Sequence, residues 1–85
     1  MASFIYPGDT LFQQIRKKHN LTQVAMAEKL KVSQPAYSLL ERGKSWPTFE
    51  VIEQTMEAFN VPFKRFREYN RERKNIIAKI ITRKN

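Results

Sequence analysis

The 85 residues contain no cysteine, a single histidine and only two glycines. Without cysteine there is no disulfide framework and no thiolate-bound zinc, and one histidine cannot build a multi-histidine metal site. No metal and no cofactor is therefore expected. A glycine-rich phosphate loop is missing too, as is any Ser/His/Asp arrangement with a plausible context, which together with the short length argues against an enzyme. No apolar run approaches the roughly 18 residues a membrane span needs, and the N-terminus lacks the basic-then-apolar pattern of an export signal. The expectation is a cytoplasmic protein with no membrane partner. A chain this short buries only about 60–65% of the surface its unfolded form exposes, so self-association would help it, and a homodimer is expected.

Acidic residues are scarce as well: eight stand against 16 Lys and Arg, a net charge of +8. The imbalance is local. Residues 1–63 are nearly neutral, whereas residues 64–85 hold nine basic groups and only Glu68 and Glu72. Such a run reads either as a solvated helix face or as a surface for a polyanion.

The two glycines (Gly8, Gly43) and four prolines (Pro7, Pro35, Pro47, Pro62) leave room for helices, and the early apolar stretches do not alternate with period two. An all-α fold of five helices is predicted. Thr10 followed by Gln13 matches a capping box and opens a helix with Leu11 and Ile15 inward, ending near His19-Asn20. Thr22 caps a second helix with Met26, Ala27 and Leu30 on one face. After the short Lys31-Val32 connection, Ser33 caps a third, Gln34 to Glu41, where Pro35 is tolerated in the first turn and Gly43 suits a left-handed ending. Thr48 caps a fourth, with Phe49, Ile52, Met56 and Phe59 predicted inward and Asn60 at its left-handed end. A fifth opens at Pro62 or Phe63; Phe66, Tyr69, Ile76, Ile77, Ile80 and Ile81 share about 140° of its wheel, interrupted by Asn70 and Arg73. The β-branched stretch 76–81 alternatively reads as a strand added to a partner's edge; helix is favoured. Trp46 reads as a plug over the third helix or as a partner anchor, and His19 as an ordinary helix-end residue.

Two helices of about eight residues joined by a sharp bend form a helix-turn-helix, whose second member can lie in a DNA major groove. The string Leu21-Thr22-Gln23-Val24-Ala25-Met26-Ala27-Glu28-Lys29-Leu30-Lys31-Val32-Ser33-Gln34, then Glu41-Arg42-Gly43-Lys44 and Pro47-Thr48, resembles the phage repressor and Cro (XRE-type) family over about residues 10–63. The resemblance implies a small lambda-repressor-like five-helix bundle, here with a C-terminal amphipathic extension. It implies a sequence-specific transcriptional regulator of double-stranded DNA that binds a palindromic operator as a dimer. Departures are Lys31 where the family commonly has glycine in the turn, and Tyr37 where it has an aliphatic residue. A non-glycine residue in a left-handed turn position carries some cost.

The organisation expected is an arm at residues 1–9, the DNA-binding domain at 10–66 and a basic amphipathic extension at 67–85. With Tyr37 and Leu40 inward on the third helix, Pro35, Ser38, Leu39 and Arg42 turn outward, with Gln34 at the tip. Gln34 can read adenine bidentately, Pro35 and Leu39 can pack on thymine methyls, and Ser38 completes the base-contacting set. Thr22, Gln23, Ser33, Arg42, Lys44 and Ser45 are expected on phosphates. Arg16 and Glu41 resemble the family's internal ion pair. Phe66, Ile76, Ile77, Ile80 and Ile81 are expected at the dimer interface, leaving Arg71, Arg73 and Lys74 wet or on flanking phosphates. A repressor of the phage, restriction-modification-controller or antitoxin kind is the leading reading. The rivals are an adaptor whose basic tail binds a partner protein such as a toxin, and an RNA binder, against which the scarcity of exposed aromatics for base stacking counts.

Overall fold

A hydroxyl side chain opens each of the first four helices in the computed structural model, which describes residues 6–83, with side chains to residue 79. Thr10, Thr22, Ser33 and Thr48 have extended backbones, and each accepts a hydrogen bond from the amide three residues on, satisfying one of the orphan donors of a first turn. The elements are α1 (Leu11–Lys18), α2 (Gln23–Leu30), α3 (Gln34–Glu41), α4 (Phe49–Phe59) and α5 (Phe63–Arg83), and no strand occurs among the described residues. The stretch at 76–81 is therefore helical. Left-handed residues end or follow the elements: Asn20, Lys31, Gly43 and Asn60 all have positive φ. Only Gly43 also lacks room for a side chain. A Cβ there would lie 3.1 Å from the Cβ of Tyr6 and 3.3 Å from the Cγ2 of Thr10.

Phe12 sits at the centre with no exposed surface, its ring 6.1 to 6.5 Å from those of Tyr37, Phe66 and Tyr69. Ile15, Met26, Ala27, Leu30, Leu40, Val51 and Ile52 fill the space around it. At 21 residues α5 is about 31 Å long, and among its described side chains only those of the first half are fully buried.

Three expectations are corrected here. Phe49 is 67% exposed, because α4 turns Val51, Ile52 and Thr55 to the core, with Met56 and Phe59 half-buried. Thr55 tolerates full burial because its hydroxyl donates to the Val51 carbonyl one turn back, at 2.7 Å. Phe66 is 1% exposed inside this chain's own core, which leaves nothing of it for an interface between copies. Arg73, expected in solvent or on phosphate, is half-buried and donates from Nε to the Gly43 carbonyl at 2.9 Å. In addition Tyr6, placed in the arm, packs in the core, its ring 5.6 Å from Tyr69. The boundary drawn at 66/67 falls within α5. Trp46 stacks on Tyr69, rings 5.6 Å apart and 23° from parallel, and His19 packs edge-on against Phe59.

Candidate nucleic-acid interface

The turn between α2 and α3 is only three residues long because Lys31 adopts the left-handed conformation, φ 59° and ψ 41°. Its amide and that of Val32 return to the carbonyls of Glu28 and Ala27, closing the end of α2 and turning the chain at once into the Ser33 cap. The rotation of α3 about its axis is set by Tyr37 and Leu40. Tyr37 is wholly buried, edge-on to Phe12, with its hydroxyl donating to the Phe12 carbonyl at 3.4 Å. Burial pushes this hydroxyl above its ordinary pKa, so it stays a neutral donor.

The outward side of α3 then carries Gln34, Pro35, half-buried Ser38 and Leu39, the last 40% exposed. Around this face lie groups suited to phosphate. Thr22 and Ser33 are exposed, and each spends a lone pair on its cap, which leaves the hydroxyl proton for an outside acceptor. Arg42 and Lys44 are exposed and Ser45 is half-buried; the Arg42 Nε also donates back to the Ser38 carbonyl at 3.3 Å. Gln23 is half-buried and close enough to Glu41 to help hold that carboxylate charged, so its amide is partly committed within the chain. From Lys31 to Thr48 the only acidic residue is Glu41, which is buried, so this stretch shows positive charge and no carboxylate.

Glu41 anchors the end of α3. Its two oxygens accept from Arg16 Nη2 at 2.7 Å and Nε at 2.9 Å, while Arg16 Nη1 donates to the Leu21 carbonyl at 3.1 Å. Burial alone would raise the Glu41 carboxyl, but the hydrogen bonds and charge of Arg16, with the polar Tyr37 hydroxyl and Gln23 amide nearby, hold it below the usual carboxylate range. The following loop is fixed from both sides. The Thr10 hydroxyl donates to the Glu41 carbonyl at 2.6 Å, the Lys44 amide to the Leu39 carbonyl at 2.9 Å, and Arg73 reaches in from α5 to Gly43. Sequence reasoning missed Arg73 and Tyr6 in this role. The interruption of the apolar stripe at Arg73 was the available signal, since a cation on a buried face needs an acceptor.

On α5, Ile76 packs against the edge of the core and Ile77 is half-buried; the side chains of Ile80 and Ile81 lie outside the described residues. Among the described residues there is no cluster of acidic residues and histidine able to hold a metal, and no helix is long and apolar enough to cross a membrane.

A short helix held by its inner face, with hydrogen-bonding side chains outward, hydroxyl caps at its rim and basic groups at its far end, defines a DNA-binding domain. A family model described as helix-turn-helix matches residues 12–66, and the chain belongs to this family, the XRE-type helix-turn-helix regulators. Comparison with curated proteins and with solved structures gives no significant match. The family is one of DNA-binding transcription regulators, not of enzymes.

Proposed function

We propose that this protein is a sequence-specific repressor that binds a palindromic operator as a homodimer and reads each half-site with α3. The observation that carries the reading is the outward face of α3: Gln34, Pro35, Ser38 and Leu39 accessible together, on a helix whose other face is locked by Tyr37 and Leu40. Gln34 at the first helical position reads an adenine edge, Pro35 and Leu39 pack on thymine methyls, and Ser38 supplies a further polar contact. Thr22, Ser33, Arg42, Lys44 and Ser45 grip the flanking phosphates and set the register, with Gln23 in a shared role. Selection of bound duplexes from a random pool tests this, with enrichment of an inverted repeat whose half-sites lie about one helical turn apart as the expected result. A pool that stays random after selection would overturn it.

The dimer is assigned to the distal part of α5, where Ile76 lies at the margin of the core, Ile77 is half-buried, and the sequence continues the stripe with Ile80 and Ile81. Deleting residues 78–85 should convert a dimer into a monomer in sedimentation equilibrium. A deletion that leaves the mass unchanged refutes this assignment. Binding of this segment to a cognate protein such as a toxin, in the manner of an antitoxin, is the competing use of the same stripe, and it requires a partner that co-purifies with the full chain and not with the deletion.

A further inference from the structure

The face on α3 uses little of the protein's positive charge. On a helix turning about 100° per residue, Lys64, Arg67, Arg71 and Lys74 of α5 fall within an arc of about 80° and extend over roughly 15 Å. All four are exposed. Glu68 and Glu72 stand to one side of the arc, whereas Phe66, Tyr69 and Arg73 occupy the opposite, core-facing side of the helix. The ion pairs seen among the described residues, Arg16–Glu41 and Lys17–Asp9, involve none of the four. Glu68 borders the stripe, four residues from Lys64 and three from Arg71, but four cations gathered on one face outweigh it and create a local potential that draws a polyanion.

The ridge lies on a different helix from the reading face. α3 rests chiefly on α1 and α2, α5 rests on α1 and α4, and α2 meets α4. These contacts close the five helices into a ring, and Arg73 of α5 reaches the Gly43 carbonyl just past the end of α3.

We infer that the outer face of α5, through Lys64, Arg67, Arg71 and Lys74, is a second, sequence-independent site for the backbone of duplex DNA. The ridge suits phosphates better than an acidic protein. Phe63, exposed, borders the arc at its N-terminal end, but no aromatic or large aliphatic side chain lies among the four cations themselves, whereas the DNA backbone asks only for spaced cations. Attachment at α3 also raises the effective concentration of DNA around the ridge. The inference rests on the DNA-binding class of the chain and not on the dimer or on the role of Gln34.

The test is to titrate the 15N-labelled full chain, and its Lys64→Gln/Arg67→Gln/Arg71→Gln/Lys74→Gln variant, with a non-specific 12-base-pair duplex while following amide shifts. Two groups of amides should move in the unmodified protein, one at the starts of α2 and α3 and one along residues 64–74; the variant should keep the first and lose the second. Neutralising about four phosphates makes the second binding event roughly 150-fold weaker between 50 and 200 mM salt. Movement of the α5 group alone supports the ridge while refuting the reading face. No movement along 64–74, equal movement in the variant, or movement caused by deca-glutamate and not by the duplex overturns the inference.

Discussion

Replacing Glu41 by glutamine removes one charge and almost no volume. The side chain is 5% exposed and receives both arms of Arg16, whose own side chain keeps 21% of its surface in solvent. Breaking a fully buried pair by removing one partner costs about 3–5 kcal/mol. Arg16 retains some water and the Leu21 carbonyl, so a loss of about 3 kcal/mol, at the lower end of that range, is expected. A domain of this length has roughly 4–13 kcal/mol of stability in total. The change should therefore lower Tm by roughly 12–24 °C. Urea unfolding followed by circular dichroism gives the comparison with the unmodified protein, repeated down the pH scale. Because the folded-state pKa of Glu41 is depressed, its stabilisation is complete above the ordinary carboxylate range, near pH 4.3, and is lost as pH falls through the depressed value. The gap between the two proteins should accordingly shrink below about pH 4. A gap under about 0.5 kcal/mol at pH 7, or one that stays constant into acid, refutes the account of this pair.

Two further substitutions test local claims. Lys31→Gly relieves a left-handed residue with φ 59° and, net of the extra freedom given to the unfolded chain, should stabilise the fold by about 0.5–1 kcal/mol in urea unfolding; no gain or a loss contradicts the strain argument. Arg73→Met removes the bond to the Gly43 carbonyl and loosens the loop bearing Lys44 and Ser45, so affinity for specific and random duplexes should fall together by about 3- to 10-fold, the equivalent of one hydrogen bond, with the salt slope unchanged. A slope flattened by about one unit would mean that Arg73 itself meets a phosphate.

The helix boundaries were legible because they depend on local chemistry. Thr10, Thr22, Ser33 and Thr48 are caps by residue type, and Gly43 and Asn60 suit left-handed endings. The outward set on α3 followed from one register choice, Tyr37 and Leu40 inward, and the Arg16–Glu41 pair followed from the family resemblance. What was not legible depends on contacts distant in sequence. The burial of Thr55 in place of Phe49 is decided by how α4 meets the core and by a hydroxyl that satisfies itself on its own helix. Phe66 reads as part of a continuous stripe with the isoleucines, and only the position of Phe12 separates it from them. Tyr6 and Arg73 converge on Gly43 from opposite ends of the chain, a meeting that no local pattern announces.

The central claim is that α3 reads bases and that Gln34 is its first reader. Affinity of the Gln34→Ala protein should be measured by fluorescence anisotropy on the selected operator and on a random duplex of equal length, at one fixed salt concentration. The account predicts a loss of about 5- to 150-fold on the operator, the worth of one bidentate base contact, with little change on random DNA. Equal affinity of the two proteins for the operator, or an equal loss on both duplexes, would contradict it.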